Sequence, residues 1–191
     1  MKKILTILIL IFTLQTPSQA NDIRDFQIEG MGLGDSALDF FTERQIKDNS
    51  FDYYNDKLFT PVQTEYLPFF NTYDGLDFDF KTNDKDYIIH SLYGRISYQE
   101  NIKDCYKKMD EVENEISKIF KNAKKKRSDK VKHSWDKSGK SIVTDIVYRF
   151  ESGDVAILEC VDWSNEIEFI DALNLKTGTK EFLDWINTEA Y

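Results

Sequence analysis

One long amphipathic segment lies between two groups of strand-like segments, and this order constrains the fold more than any other feature of the chain. Residues 101–124 carry apolar side chains three and four positions apart, which predicts a helix about 34 Å long. Asn101 and Asp104 form a variant of the capping box at its start. The apolar stripe consists of Ile102, Cys105, Met109, Val112, Ile116, Ile119, Phe120 and Ala123.

Three strands are predicted on each side of that helix. Residues 76–81 alternate strictly between apolar and polar side chains, and residues 87–98 are expected to form their antiparallel partner. A weak edge strand at 58–66 is limited by Pro61, which has no N–H to donate to a neighbouring strand. The second group consists of strands at 141–151, 154–163 and 167–175, the first two joined by a turn at Ser152-Gly153.

Two shorter helices complete the predicted elements. One covers residues 33–46, and the other covers residues 180–189 with Thr179 as its N-cap. Because single helices separate runs of strands, we expect an α+β fold with two layers and an antiparallel sheet of about six strands, built from two helix-plus-three-strand halves. Residues 21–191 are long enough to form a single globular domain.

The first twenty residues are typical of a cleaved signal peptide. Lys2 and Lys3 precede an apolar run at 4–14, and small residues stand before a cut after Ala20. The run is too short to span a bilayer, so we expect an exported chain, periplasmic or extracellular, without a transmembrane segment. The remaining chain has 23 basic and 34 acidic residues, a net charge of −11, which disfavours nucleic acid as a partner.

The chain contains two cysteines, Cys105 and Cys160, and export would bring them into an oxidising compartment. We predict that they form a disulfide, with two buried free thiols as the alternative. The bond would close a loop of about 55 residues and stabilise the fold by roughly 4 kcal/mol. With a two-residue turn at 152–153, Cys160 would share its face of the strand pair with Val143 and Val147. The opposite face would be more apolar, and another element of the protein or a partner would have to cover it. A three-residue turn would exchange the two faces.

Residues 121–140 contain nine basic and two acidic residues, the largest charge asymmetry in the chain. We predict a mobile basic loop that contacts anionic lipid head groups or another polyanion, with Val131 and Trp135 as interfacial anchors. The alternative is a solvated loop whose lysines follow a helix C-terminus. The candidate contact residues are Lys124, Lys125, Lys126, Arg127, Lys130, Lys132 and Trp135.

The segment 51–80 interleaves aromatic and acidic residues, as in a surface that stacks on sugars or holds a cation. A run of this kind also fills a core beneath a long loop, so both interpretations stay open. Asp77 and Asp79 share one face of the predicted strand, as the alternation of any half-solvated strand would place them. The candidate ligand-contacting residues are Tyr53, Tyr54, Tyr66 and Tyr73.

The sequence contains no recognisable catalytic or metal-binding pattern. His90 and His133 are the only histidines, and neither stands at metal-ligand spacing from a cysteine or another histidine. We therefore expect no catalytic residues, no metal and no cofactor. A hydrolase of unrecognised type is an open alternative that requires His90, a carboxylate and a nucleophile to converge in one cleft.

Three segments carry a resemblance to known proteins. Residues 28–39 read I-E-G-M-G-L-G-D-S-A-L-D, and residues 103–109 and 136–141 match the same group. The chain resembles a family of uncharacterised exported proteins of marine alphaproteobacteria, in which an IEGMxxGDSxLD opening precedes an aromatic-rich α+β domain. Gly30-Met31 before a capped helix is also similar to the opening of BamE-like envelope domains, although this chain has no lipidated cysteine. The resemblance implies an envelope protein and assigns no functional residue.

These observations together favour a non-enzymatic periplasmic or envelope protein that serves as a protein- or surface-interaction module. Its partner would be an envelope protein or an anionic surface, contacted through the basic segment 121–140 or through an apolar sheet face. The first alternative is a small-ligand binder, for a sugar or a cation, that uses the aromatic segment 51–80.

Overall fold

The computed structural model of the protein describes residues 23–65, 67–68, 70–99 and 101–191. The predicted signal peptide at 1–20 lies outside the described residues. The α-helices are α1 (Glu43–Asn49), α2 (Ile102–Ile119) and α3 (Lys180–Thr188). The strands are β1 (Gln27–Ile28), β2 (Met31–Gly32), β3 (Phe59–Glu65), β4 (Gly75–Lys81), β5 (Ile89–Gln99), β6 (Lys124–Lys132), β7 (Ile142–Arg149), β8 (Val155–Asp162) and β9 (Asp171–Gly178).

Seven strands form one antiparallel sheet in the order β3-β4-β5-β9-β8-β7-β6, while β1 and β2 form a separate two-stranded sheet. The two predicted strand groups are joined through the pairing of β5 with β9. The predicted α+β fold with two layers and an antiparallel sheet is therefore confirmed. The described part of the chain contains no helix that is long and apolar enough to cross a membrane.

The basic segment is the main correction to the predicted fold. Residues 124–132 do not form a mobile loop, because they pair with β7 as the seventh strand at the edge of the sheet. Helix α2 ends at Ile119 rather than near residue 124. The lysines from residue 124 onwards therefore lie outside the helix, and their backbone can pair with a neighbouring strand. Most of β6 is solvent-exposed, so its sequence shows no apolar alternation. Its lysines are typical of an edge strand that must not pair with other molecules.

The first predicted helix is also corrected, because residues 33–46 form only a short 3-10 turn at Ala37–Asp39 and the start of α1. Gly34 N–H donates to the Ile89 carbonyl and Ile89 N–H donates to the Asp35 carbonyl, both at 2.9 Å. These groups are therefore unavailable for helical hydrogen bonds. Helix α1 begins only after Thr42, which forms a capping box with Gln45.

The predicted disulfide is confirmed, since Cys105 on α2 is bonded to Cys160 on β8 with a Cα–Cα distance of 6.1 Å. The predicted two-residue hairpin turn is wrong. Arg149 pairs with Val155, so five residues separate the two strands and the faces are exchanged. Cys160 consequently pairs with Thr144 and shares its face with Ile146 and other buried apolar side chains. Helix α2 packs on this apolar face.

The opposite face of the sheet, which we call the distal face, is defined by five neighbouring residues on β4, β5, β9, β8 and β7. These are Asp77, Tyr93, Lys176, Ile157 and Val147. Helix α3 begins at the predicted cap Thr179 and, with the segment before β3, covers one end of this face. The buried side chains at that end are Tyr54, Phe59, Phe182, Trp185 and Ala190.

Candidate functional site

The distal face carries three adjoining cavities of about 350, 230 and 370 Å³. Tyr93, near the middle of β5, lines all three. We call the combined depression the distal cleft. It follows β5 and β9 from Ser91 to Ser97, a distance of about 20 Å at the usual rise of a strand. Aromatic side chains stand at both ends of the cleft, and polar side chains form its floor.

The α3 end of the cleft is bounded by aromatic and aliphatic side chains. Tyr54 donates a hydrogen bond to Asp79 Oδ1 at 2.9 Å, and its ring lies 4.7 Å from that of Trp185. Tyr53 lies against Tyr54 with ring centroids 5.1 Å apart. Burial, with the Asp79 carboxylate second, raises the pKa of Tyr54, so its phenol stays protonated and remains a donor. The aliphatic wall comes from Val155, Ile157, Leu183 and Ile186.

Asp77 and Asp79 lie on the distal face, as the alternation of β4 predicts. Burial raises the pKa of Asp77 to about 7, while the Arg95 guanidinium opposes the increase. Burial also raises the pKa of Asp79 to about 7, although hydrogen bonds from Tyr54 and Ser91 oppose it. Asp77 Oδ1 is buried and has no hydrogen bond among the described residues. Near neutral pH each carboxyl is partly protonated and can donate or accept a hydrogen bond.

The middle of the cleft floor is a network of paired polar groups. The Tyr93 hydroxyl donates to Asn174 Oδ1 at 2.8 Å, and Asn174 Nδ2 donates to Glu159 Oε1 at 3.0 Å. Lys176 Nζ lies 2.6 Å from the same Glu159 oxygen and 5.2 Å from the Tyr93 ring centroid. Arg95 forms an ion pair with Glu65 at the neighbouring edge. The cations of the floor are therefore already neutralised by protein carboxylates.

The other end of the cleft is an aromatic cluster supplied by two chain connections. Trp163 and Phe169 come from the connection after β8, and their ring centroids are 5.0 Å apart. Trp135, from the connection after β6, lies 5.5 Å from Phe169. His133 lies 4.5 Å from Trp163. We call this end the aromatic tip, which consists of Trp135, Trp163, Phe169 and Ile170, with Val131 on the adjoining strand β6.

The candidate tyrosines do not form one surface. Tyr53 and Tyr54 line the distal cleft, whereas Tyr73 packs with the core beneath α2, where its ring fills the space beside Gly94. Tyr66 lies outside the described residues. The side chains that sequence analysis did not identify are those contributed by β5, β8, β9 and the connection after β8. They are Tyr93, Glu159, Asn174, Lys176, Trp163, Phe169 and Ile170.

The basic candidates divide between two environments. Lys125 and Arg127 turn towards α2, where both bind Glu113, at 2.9 and 2.8 Å. The other four lysines of β6 are exposed and form no ion pair among the described residues. Trp135 is exposed at the aromatic tip. The four lysines are Lys124, Lys126, Lys130 and Lys132.

Neither histidine combines with the cleft carboxylates as a hydrolase would require. His90 Nδ1 lies 3.3 Å from Thr179 Oγ1, and that hydroxyl accepts the Phe182 N–H to cap α3. His133 packs on Trp163 in the aromatic tip. The part of the chain that the structure describes contains no group of three or more His, Cys, Asp or Glu side chains that could hold a metal ion. The distal cleft thus presents hydrogen-bond donors and acceptors of mixed kinds.

Comparison with known proteins does not add to this assignment. No protein-family model matches the chain, and no curated protein or solved structure matches it. The functional proposal therefore depends on the cleft and on its chemistry.

Proposed function

We propose that this chain is an exported, non-enzymatic envelope protein that binds a neutral, hydroxyl-rich ligand, such as a short oligosaccharide, in the distal cleft. The signal-peptide pattern at 1–20, cut after Ala20, supports delivery to the periplasm or the extracellular space. The Cys105–Cys160 disulfide supports an oxidising compartment. The resemblance of residues 28–39 to exported alphaproteobacterial proteins supports the same location.

The observation that carries the proposal is one cleft with aromatic side chains at both ends and a charge-paired polar floor. Sugars present apolar C–H faces and hydroxyl groups together. The apolar C–H faces suit rings such as Tyr53 and Trp163, and the hydroxyl groups suit carboxyl, amide and phenol groups. Because Lys176 is paired with Glu159 and Arg95 with Glu65, an anionic ligand would have to displace these glutamates from the cleft cations. A neutral ligand avoids that cost.

The dimensions of the cleft favour a ligand of several units. The floor extends about 20 Å along β5, which exceeds the length of a single sugar ring. The donors and acceptors are fixed by β-strands and by one another, as in the hydrogen bond between Tyr93 and Asn174. Little side-chain ordering is therefore needed on binding, which preserves affinity.

The test is a titration of the purified chain with short neutral oligosaccharides, followed by calorimetry and by tryptophan fluorescence. Tyr93→Ala and Trp163→Ala are each expected to weaken binding by about tenfold, which corresponds to roughly 1.4 kcal/mol. Leu38→Ala is the matched control, because Leu38 is 42% exposed and does not line the cleft. The proposal is refuted if no oligosaccharide binds, or if the Tyr93 variant binds as tightly as the parent chain.

A further inference from the structure

The aromatic tip exposes large apolar side chains to solvent. Trp135, Phe169 and Ile170 are 57, 53 and 54% exposed, and Val131 is 41% exposed. Val131 lies on β6, and the other three come from two connections, 133–141 and 163–170, that meet at the same end of the sheet. Clusters of large apolar side chains that are exposed to solvent are typical of interaction surfaces.

The tip is held in shape by hydrogen bonds within and between the two connections. Asp136 accepts the backbone N–H groups of Ser138 and Ser141, both at 2.8 Å. Hydrogen bonds from the same two serines hold the pKa of Asp136 well below its usual range. Ser164 N–H donates to Ser141 Oγ at 3.0 Å and ties one connection to the other. The exposed rings are therefore presented on a framework that is already ordered.

Lysines on β6 and in the connection 133–141 are close in the chain to Val131 and Trp135. The segment 124–141 has eight basic and two acidic residues, against two acidic residues and no basic one in 163–170. No ion pair among the described residues involves Lys130, Lys132 or Lys137. The rest of the chain is strongly acidic. An anionic surface would therefore attract this end of the molecule and repel the body, which orients the tip towards it.

We propose that the aromatic tip docks on the anionic surface of a lipid bilayer. Trp135, Phe169 and Ile170 enter the head-group region, while Lys130, Lys132 and Lys137 lie against lipid phosphates. Tryptophan and phenylalanine favour this interfacial zone, and nearby lysines add attraction to anionic lipid. The flanking lysines favour a lipid surface over a protein partner, whose interface core would be depleted of lysine. This inference does not depend on the ligand of the distal cleft.

The experiment is co-sedimentation of the purified chain with vesicles of phosphatidylcholine alone or with roughly one-third phosphatidylglycerol. We expect binding to the anionic vesicles, a blue shift of tryptophan emission, and weakening at high salt. The Trp135→Ala/Phe169→Ala variant is expected to bind at least tenfold more weakly. Lys130→Gln, Lys132→Gln and Lys137→Gln together should reduce binding by about fivefold per lysine and remove most of the salt dependence.

The control is Leu38→Ala/Leu58→Ala, which removes two apolar side chains that are 42 and 43% exposed outside the tip. It should bind like the parent chain, and all variants should keep the parent's unfolding midpoint because the altered side chains are exposed. The proposal is overturned if the parent chain does not bind anionic vesicles. It is also overturned if the tip variant binds anionic vesicles as well as the parent, or if the control loses as much affinity as the tip variant.

Discussion

Replacing Asp79 by Asn should change how the stability of this protein depends on pH. Asp79 is 8% exposed and accepts a hydrogen bond from Tyr54 at 2.9 Å. The asparagine amide oxygen can still accept that bond, while the buried charge is removed. Burial raises the pKa of Asp79 in the folded protein to about 7, whereas the unfolded chain titrates near 3.8. The folded state therefore binds the proton more tightly than the unfolded state does.

The sign and the magnitude follow from that difference. Where the folded state binds more protons, stability falls as pH rises, so the parent chain loses stability between the unfolded pKa and the folded pKa of Asp79. The two pKa values differ by about 3, and one pKa unit corresponds to about 1.4 kcal/mol, so the full loss is about 4 kcal/mol. Between pH 5 and pH 8, the stability of Asp79→Asn relative to the parent should therefore increase by about 2–3 kcal/mol.

Urea unfolding followed by circular dichroism at pH 5, 6, 7 and 8 measures this difference. The comparison with the parent cancels the opposite contribution of His90 and His133, since burial lowers the pKa of both histidines. Asp48→Asn is the control, because among the described residues this exposed carboxylate pairs only with Arg44, at 3.3 Å, and its loss should change stability by less than about 0.5 kcal/mol. A variant-minus-parent difference that stays constant from pH 5 to pH 8 would refute the reasoning.

Three further predictions concern the framework. Replacing Cys105 and Cys160 together by Ser should cost up to about 4 kcal/mol in urea unfolding, and reduction of the parent chain should reproduce the loss. Gly94→Ala should lower the melting temperature, because the added Cβ would lie 2.7 Å from the Tyr73 ring. Glu29→Gln should cost about 1–2 kcal/mol at pH 7, since Glu29 accepts three backbone N–H groups of 71–73. Burial alone would raise the pKa of Glu29, but the hydrogen bonds lower this pKa below its usual value. The stabilisation by the Glu29 carboxylate is therefore lost as the pH falls through the lowered pKa. At that low pH, Glu29→Gln should be as stable as the parent chain.

The elements with a clear periodicity of their own could be predicted well from sequence. The intervals of three and four across 101–124 predicted α2, and the alternation of 76–81 predicted β4 together with the shared face of Asp77 and Asp79. The signal-peptide pattern and an even number of cysteines predicted the Cys105–Cys160 bond. Each of these predictions uses only neighbouring residues or composition, which the sequence contains directly.

The candidate site was predicted only in part. Tyr53 and Tyr54 were identified as candidate ligand contacts and Trp135 as a candidate lipid contact, but nothing in the local pattern connects them with Tyr93 or Trp163. The alternation of β5 places Tyr93 between Ser91 and Arg95 on one face, and this polar row was the available signal. The polar row on β5 forms part of the cleft only because β5 pairs with β9. That pairing joins residues about eighty positions apart in the chain.

Sequence alone determined the fold class, the cysteine pair and elements such as α2 and β4, because these depend on local periodicity and composition. Tertiary structure decided which sheet face each residue occupies and which connections meet at the aromatic tip. The five-residue turn after Arg149 reverses every side chain of β8 relative to a two-residue turn. Strand pairing likewise turned the lysine-rich segment into β6, since an edge strand needs backbone partners and no apolar alternation of its own.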